Sequence, residues 1–332
     1  MKRMNKTAVK LVSIALLFIM AVATFIKAEA TVSVFSTVFS ENTAPIAKKL
    51  EYQTYKGIEF VGFFSAVDPE GDLITFEIAS EPKKGVIEVF EDGSFKYTPF
   101  DGKKGKDTFT YVAIDSGGNV SEEASVKIDI KKQSTSITYS DMKNHDSHYA
   151  ALSLAENDIF IGECISGEYF FRPEETFSRG ELLVMCLKMC DAATIDGITR
   201  TGFSDDEDIA SWLKPYVSTA LMSGVISGYS SGDGTPVFMP DKPVTFAEAA
   251  VILNGVIGIS DVVSVSSIAP ETAPAWAYQA TANLYSCSIL PTSAIDKYDL
   301  EMTRAEVSEM LLAAINVINN RDNSTSLLNW AR

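Results

Sequence analysis

The chain has 332 residues, 46% of them hydrophobic and 22% charged, and a formal charge of −16. So acidic a surface repels phosphate backbones and anionic lipids, which argues against nucleic-acid binding and makes each well-placed arginine informative about anionic ligands. Four cysteines are far too few for a disulfide scaffold.

Residues 1–30 read as a secretory signal peptide. Lys2, Arg3, Lys6 and Lys10 form a basic start, Leu11 to Ile26 is an apolar run, and Ala28-Glu29-Ala30 supplies a small-x-small cleavage pattern. The run falls short of the roughly 20 residues that span a bilayer, and no later segment is long and apolar enough. No membrane span is therefore expected after cleavage. Residues 1–30 carry five basic residues and one acidic residue, so the mature chain has a formal charge of −20.

Residues 42–131 read as all-β. Val126, Ile128 and Ile130 alternate with Lys127 and Asp129, the period of a half-buried strand. Val86–Phe90 and Phe95–Thr98 flank Asp92-Gly93, a hairpin turn signal because glycine accepts positive φ. Phe109 and Tyr111 lie in another strand, and about seven short strands in 90 residues suggest a β-sandwich. Asp68, Glu70 and Asp72 could offer oxygen ligands to calcium, although their spacing equally suits a solvated acidic turn. Residues 132–138 are polar and read as a linker.

From Tyr139 onward the period becomes helical. Leu182, Leu183, Cys186, Leu187 and Cys190 share one face, as do apolar residues in 249–256 and 307–318. Cys186 and Cys190 read as small core residues; a disulfide between repeats is the alternative, and sequence does not choose among Cys164, Cys186, Cys190 and Cys287. His145 and His148 form no zinc-spaced cluster with them.

A degenerate threefold repeat organises this half. Tyr149 precedes Ser178-Arg179-Gly180-Glu181, Trp212 precedes Thr245-Phe246-Ala247-Glu248, and Trp276 precedes Thr303-Arg304-Ala305-Glu306. Each Ser/Thr-x-x-Glu is a capping box that opens an apolar helix. Phe171-Arg172-Pro173 and Phe238-Met239-Pro240 stand at the same offset before the first two boxes. The repeats span 139–195, 199–259 and 264–319, with a tail at 320–332, and the period of roughly 60 residues points to an array whose grooves carry function.

This pattern resembles the S-layer homology (SLH) family, a match that covers roughly residues 138–320. Tyr139-Ser140-Asp141 and Phe203-Ser204-Asp205 supply its opening element, and Gly224-Val225-Ile226-Ser227-Gly228 its turn. The resemblance implies a mainly-α pseudo-threefold array with capped helices in a central bundle. It also implies grooves that bind secondary cell-wall polysaccharide, often through a pyruvylated sugar. By position, Arg179 and Arg304 take the anion-gripping role, Asp141 and Asp205 the carboxylate role, and Tyr149, Trp212 and Trp276 the aromatic role. Trp212 and Trp276 read equally as core aromatics, Arg179 and Arg304 as solvated charges, and the two Asp residues as caps. The second repeat has Phe246 in place of Arg, and the third has Ile268-Ala269-Pro270 in place of the opening element and Pro291 in its turn. The grooves are thus expected to be unequal.

Residues 42–131 resemble cadherin-like or bacterial Ig-like modules through Asn42-Thr43-Ala44-Pro45, Val67 to Asp72, Asp92 to Pro99 and Gly105 to Tyr111. No catalytic constellation stands out: the Ser and Cys residues lack a histidine partner, and no phosphate-cradling loop is present. The expected protein is a secreted, non-enzymatic bacterial surface protein held on the cell wall by its repeats. An adhesive protein, or an accessory carbohydrate-binding subunit of an extracellular polysaccharide-degrading system, is the alternative.

Overall fold

A computed structural model describes residues 42–261, 273–290 and 297–330, the last eleven as backbone only. The signal-peptide segment and the third repeat's Ile268-Ala269-Pro270 and Pro291 lie outside the described residues.

The N-terminal region is β-rich, as an Ig- or cadherin-like sandwich requires. Its strands are β1 (Ile46–Ala47), β2 (Leu50–Tyr55), β3 (Phe60–Phe63), β4 (Ala66–Val67), β5 (Thr75–Ser80), β6 (Gly85–Val89), β7 (Ser94–Pro99), β8 (Gly105–Ile114) and β9 (Ala124–Lys131). They form sheets in the orders β2-β9-β8-β5, β3-β7-β6 and β1-β4. The hairpin β6–β7 turns at Gly93, whose φ of 81° needs a residue without a side chain. Val126, Ile128 and Ile130 are all buried, as their alternation predicts.

The chain divides into two compact units, one of residues up to 50 with 64–80 and 109–126, the other of 51–63, 81–108 and 127 onward. In the first, Phe64 stacks near Phe76 and Tyr111 at 5.2 and 4.6 Å, and the Tyr111 hydroxyl reaches the carbonyls of Lys48 and Ser65 at 2.6 and 2.7 Å. In the second, buried Asp107 accepts from Tyr97 Oη (2.7 Å) and the amides of Lys83 and Lys84 (3.0 and 2.8 Å). Burial alone would raise this carboxyl's pKa; the hydrogen bonds outweigh it and hold the group below the ordinary range.

The helical half follows in three pairs: α1 (His148–Glu156) with α2 (Arg179–Met189), α3 (Lys214–Met222) with α4 (Phe246–Ile257), and α5 (Tyr278–Ser286) with α6 (Arg304–Trp330). Short hairpins lie between α1 and α2 (β10, Glu163–Ile165; β11, Glu168–Phe170) and between α3 and α4 (β12, Tyr229–Ser230; β13, Pro236–Val237). One core, running from Leu154 to Ala314, joins α2, α4 and α6. Cys186 is buried in it, and Cys190 and Cys287 pack against it.

The polar segment 132–138 is tied down. Glu156, at the end of α1, accepts from the amides of Ser134 and Thr135 at 2.8 and 2.9 Å and from both hydroxyls, and Ile137 is buried. Burial raises the Glu156 pKa, but these four hydrogen bonds outweigh it and depress the carboxyl to about 2. A depressed carboxyl stabilises the fold above its unfolded value of roughly 4.3, and that contribution fades as pH falls toward 2. After allowance for solvent screening it is worth roughly 1–2 kcal/mol. The Ser134 and Thr135 amide shifts should titrate together with a midpoint near 2. A midpoint in the ordinary carboxylate range would show that the clamp does not exist.

Candidate functional site

The three capping boxes place three helix starts against one another. Ser178 and Glu181 exchange hydrogen bonds of 2.9 and 3.2 Å, Thr245 and Glu248 of 3.3 and 3.4 Å, and Thr303 and Glu306 of 2.9 and 3.2 Å. A capped helix still has free amides in its first turn. Here the first two amides of each helix bond to carbonyls of another repeat. Arg179 and Gly180 donate to Lys242 and Pro240 (2.8 and 2.9 Å), Phe246 and Ala247 to Leu300 and Tyr298 (both 3.0 Å), and Arg304 and Ala305 to Glu175 and Pro173 (2.6 and 3.0 Å). The first repeat thus bonds to the second, the second to the third, and the third to the first. Bridges Ser178–Pro243, Thr245–Glu301 and Thr176–Thr303 accompany the same three junctions.

The side chain that follows each cap projects into its junction, and the three junctions differ. Arg179 is only 7% exposed, with its guanidinium carbon 4.8 Å from the ring centre of Tyr229 and 5.4 Å from that of Phe238. Its Nε has no hydrogen-bond partner, and Arg179 forms no ion pair among the described residues. A second cation stands beside it: Lys242 Nζ lies 4.6 Å from the Tyr229 ring centre and 2.8 Å from Glu248 Oε1, and Tyr229 Oη also bonds to Glu248. Burial of the Tyr229 phenol and its bond to Glu248 raise its pKa, so it stays neutral.

Arg304 is equally buried, at 8% exposure, and its Nε likewise has no hydrogen-bond partner, but its charge is already met by carboxylates. Its Nη1 lies 3.4 Å from Glu163 and 3.6 Å from Glu175, and it donates to the Phe171 carbonyl at 3.2 Å. Arg172 joins the same cluster through Glu163 (2.9 Å) and Glu175 (3.0 Å). In the remaining junction Phe246 packs against Tyr298, ring centres 5.9 Å apart. Both arginines are therefore buried in junctions; neither is a solvated surface charge.

Asp141 and Asp205 occupy equivalent places and do equivalent work. Asp141 accepts from the amides of Phe171 and Arg172 at 3.0 and 2.7 Å, and Asp205 from those of Phe238 and Met239 at 2.8 and 2.7 Å. Arg172 and Met239 have φ of 56° and 57°, a left-handed conformation that costs a residue with a side chain roughly 1–2 kcal/mol. Two charge-assisted hydrogen bonds offset that cost and fix the loop whose later carbonyls receive the neighbouring helix.

Residues 42–132 match the bacterial cadherin-like domain family, and residues 202–250 match the S-layer homology domain family. The chain carries a bacterial cadherin-like domain and an SLH domain. It is 30% identical over 134 residues to the exoglucanase XynX of Acetivibrio thermocellus, covering 39% of this chain and 12% of that protein. It is 28% identical over 123 residues to a surface-layer 125 kDa protein of Lysinibacillus sphaericus, covering 36% of this chain and 10% of that one. A solved SrpA adhesin from Streptococcus sanguinis shares 24% identity over 30% of this chain and 67% of that chain, with a TM-score of 0.24. The chain spans about an eighth or less of the length of these curated relatives. The SLH domain and the surface-layer relative indicate a cell-surface or cell-wall location. Among the described residues no helix is long and apolar enough to cross a membrane.

The aromatic positions of the SLH domain and its two flanking repeats also diverge. Trp212 and Trp276 are 58% and 60% exposed, so neither is a core residue. Trp212 borders the Arg179 junction, because its neighbour Leu213 lies against Gly180: a Cβ there would come within 2.8 Å of Leu213 and 3.2 Å of the Pro240 carbonyl. Tyr149 is instead covered by other side chains, with ring centres of Tyr55 and Phe60 at 5.7 and 6.1 Å.

In the cadherin-like domain, Asp68, Glu70 and Asp72 do not converge. Asp68 Oδ1 accepts from the amides of Glu70 and Asp72, while the Glu70 carboxylate turns to Thr43. Asp68 Oδ2 is buried without a partner, yet one oxygen is no shell, and the described residues contain no group of three acidic, His or Cys side chains placed to hold a metal.

Sequence reasoning did not single out Lys242, Glu175 or Tyr229. Lys242, Glu175 and Leu300 occupy one repeat position, three residues before the capping Ser or Thr. Comparing that position across repeats would have revealed the cation, the acid and the apolar residue that set each junction's charge.

Proposed function

We propose that residues 139–319 form a pseudo-threefold SLH array that anchors a secreted bacterial protein non-covalently to secondary cell-wall polysaccharide. The array displays the cadherin-like domain and performs no catalysis of its own. The cyclic bonding of helix starts supports the array, and the buried Arg179 guanidinium, without a carboxylate partner among the described residues, carries the binding reading. In a chain this acidic, a desolvated guanidinium with no carboxylate partner among the described residues is a site for an anion, and it suits the carboxylate of a pyruvylated sugar through paired hydrogen bonds. Tyr229 and the exposed Trp212 offer aromatic faces for sugar C–H surface. Trp276, equally exposed, offers another such face. A second reading, an accessory subunit of a polysaccharide-degrading system, draws on the exoglucanase relative.

The test is binding of the mature chain to purified cell-wall sacculi before and after chemical removal of the secondary polymer. Binding should be lost with the polymer. Undiminished retention on stripped sacculi would overturn the anchoring reading.

A further inference from the structure

We propose that the first repeat, on the side of its junction with the third, is a seat for strands of the chain's own cadherin-like domain, leaving the other two junctions for ligand. The charge and the aromatic face that make the Arg179 junction receptive are both engaged internally here. The cation, Arg304, is neutralised by Glu163 and Glu175. The aromatic residue, Tyr149, is covered where its counterparts Trp212 and Trp276 are exposed.

The occupant is the segment Tyr55–Phe60 with strand β7. Tyr55 and Phe60 cover the Tyr149 ring, and Tyr55 and Ile58 pack against a cluster of the first repeat that includes Tyr139, Met142, Leu152 and Phe171. Burial pushes the Tyr149 phenol up to about 12. Lys96 of β7 pairs with Asp146, immediately before α1, at 2.5 Å. Glu156 closes the same side by binding Ser134 and Thr135. An apolar patch, an ion pair and a tied connection between the same two parts hold them together far better than a flexible linker of seven residues would.

The mechanical consequence is that strands β3, β6 and β7 turn with the array as one body.

The experiment compares rotational correlation times, from amide ¹⁵N relaxation, for β6 and β7 and for α2 and α4 in the mature chain. The proposal expects one shared time in the native chain. It expects a shorter time for β6 and β7 in Lys96→Glu combined with Tyr149→Ala. Adding Asp146→Lys to Lys96→Glu should restore the shared time. Independent tumbling of β6 and β7 in the native chain would overturn the proposal, and so would a shared time that survives the double variant. Lys96→Glu alone, at a partly exposed site, gives a milder version of the same readout should the double variant lose its fold. No wall polymer enters the measurement, so this proposal and the anchoring reading fail separately.

Discussion

Arg179→Ala should weaken binding to wall polysaccharide by roughly 30- to 150-fold, while Arg304→Ala should leave it within about twofold of native. The first figure follows from losing charge-assisted hydrogen bonds worth about 2–3 kcal/mol to a desolvated anion. Arg304 differs because Glu163 and Glu175 already hold it, so an incoming anion would have to displace two carboxylates. Its removal should appear in stability, at roughly 2 kcal/mol, since two acids and the Phe171 carbonyl lose their shared partner. Lys242→Glu extends the test. It copies into the Arg179 junction the acid that stands at Glu175, and it should reduce binding about as much as Arg179→Ala does. The measurement is titration with isolated wall polymer alongside thermal unfolding. Equal losses from Arg179→Ala and Arg304→Ala would show that ion pairing within the junction does not decide competence.

Asp205→Ala should lower stability by about 3 kcal/mol, which corresponds to a Tm roughly 6–12 °C lower for a body of this size. The carboxylate satisfies two amides and keeps Met239 at positive φ. Without it the loop loses the conformation that points the Pro240 and Lys242 carbonyls at the start of α2. Asp205→Asn should lie between, because an amide oxygen can accept while its nitrogen repels the second N–H. Differential scanning calorimetry settles the size. A change below about 1 kcal/mol would mean that water replaces the carboxylate at no cost and that the loop holds its own shape.

Much of this architecture was legible because the signals are local. A capping box is four residues long, and all three boxes form as read, each opening a helix at the predicted place. The β-strand alternation at Val126, Ile128 and Ile130 is equally local. The junctions were less legible because their character depends on pairs distant in sequence. Arg179 and Arg304 sit in the same motif position, yet one shares the Tyr229 ring with Lys242 and the other meets Glu175 and Glu163. Only the pairing of each helix start with the next repeat's loop tells them apart. The anchoring of the polar stretch 132–138 was not legible for a related reason, since the acceptor that orders it, Glu156, is more than twenty residues away.

Because the helix starts bond from first repeat to second, second to third and third back to first, the assembly has no open end. A stack of repeats can lengthen by one more copy, with a cap at each end. A closed circuit cannot: a fourth member would have to break a junction, and a missing one would strand two buried amides on one side and two carbonyls on the other. Copy number is therefore a property of the geometry, while the junction interiors remain open to change. There the three repeats carry Lys242, Glu175 and Leu300 at a single shared position.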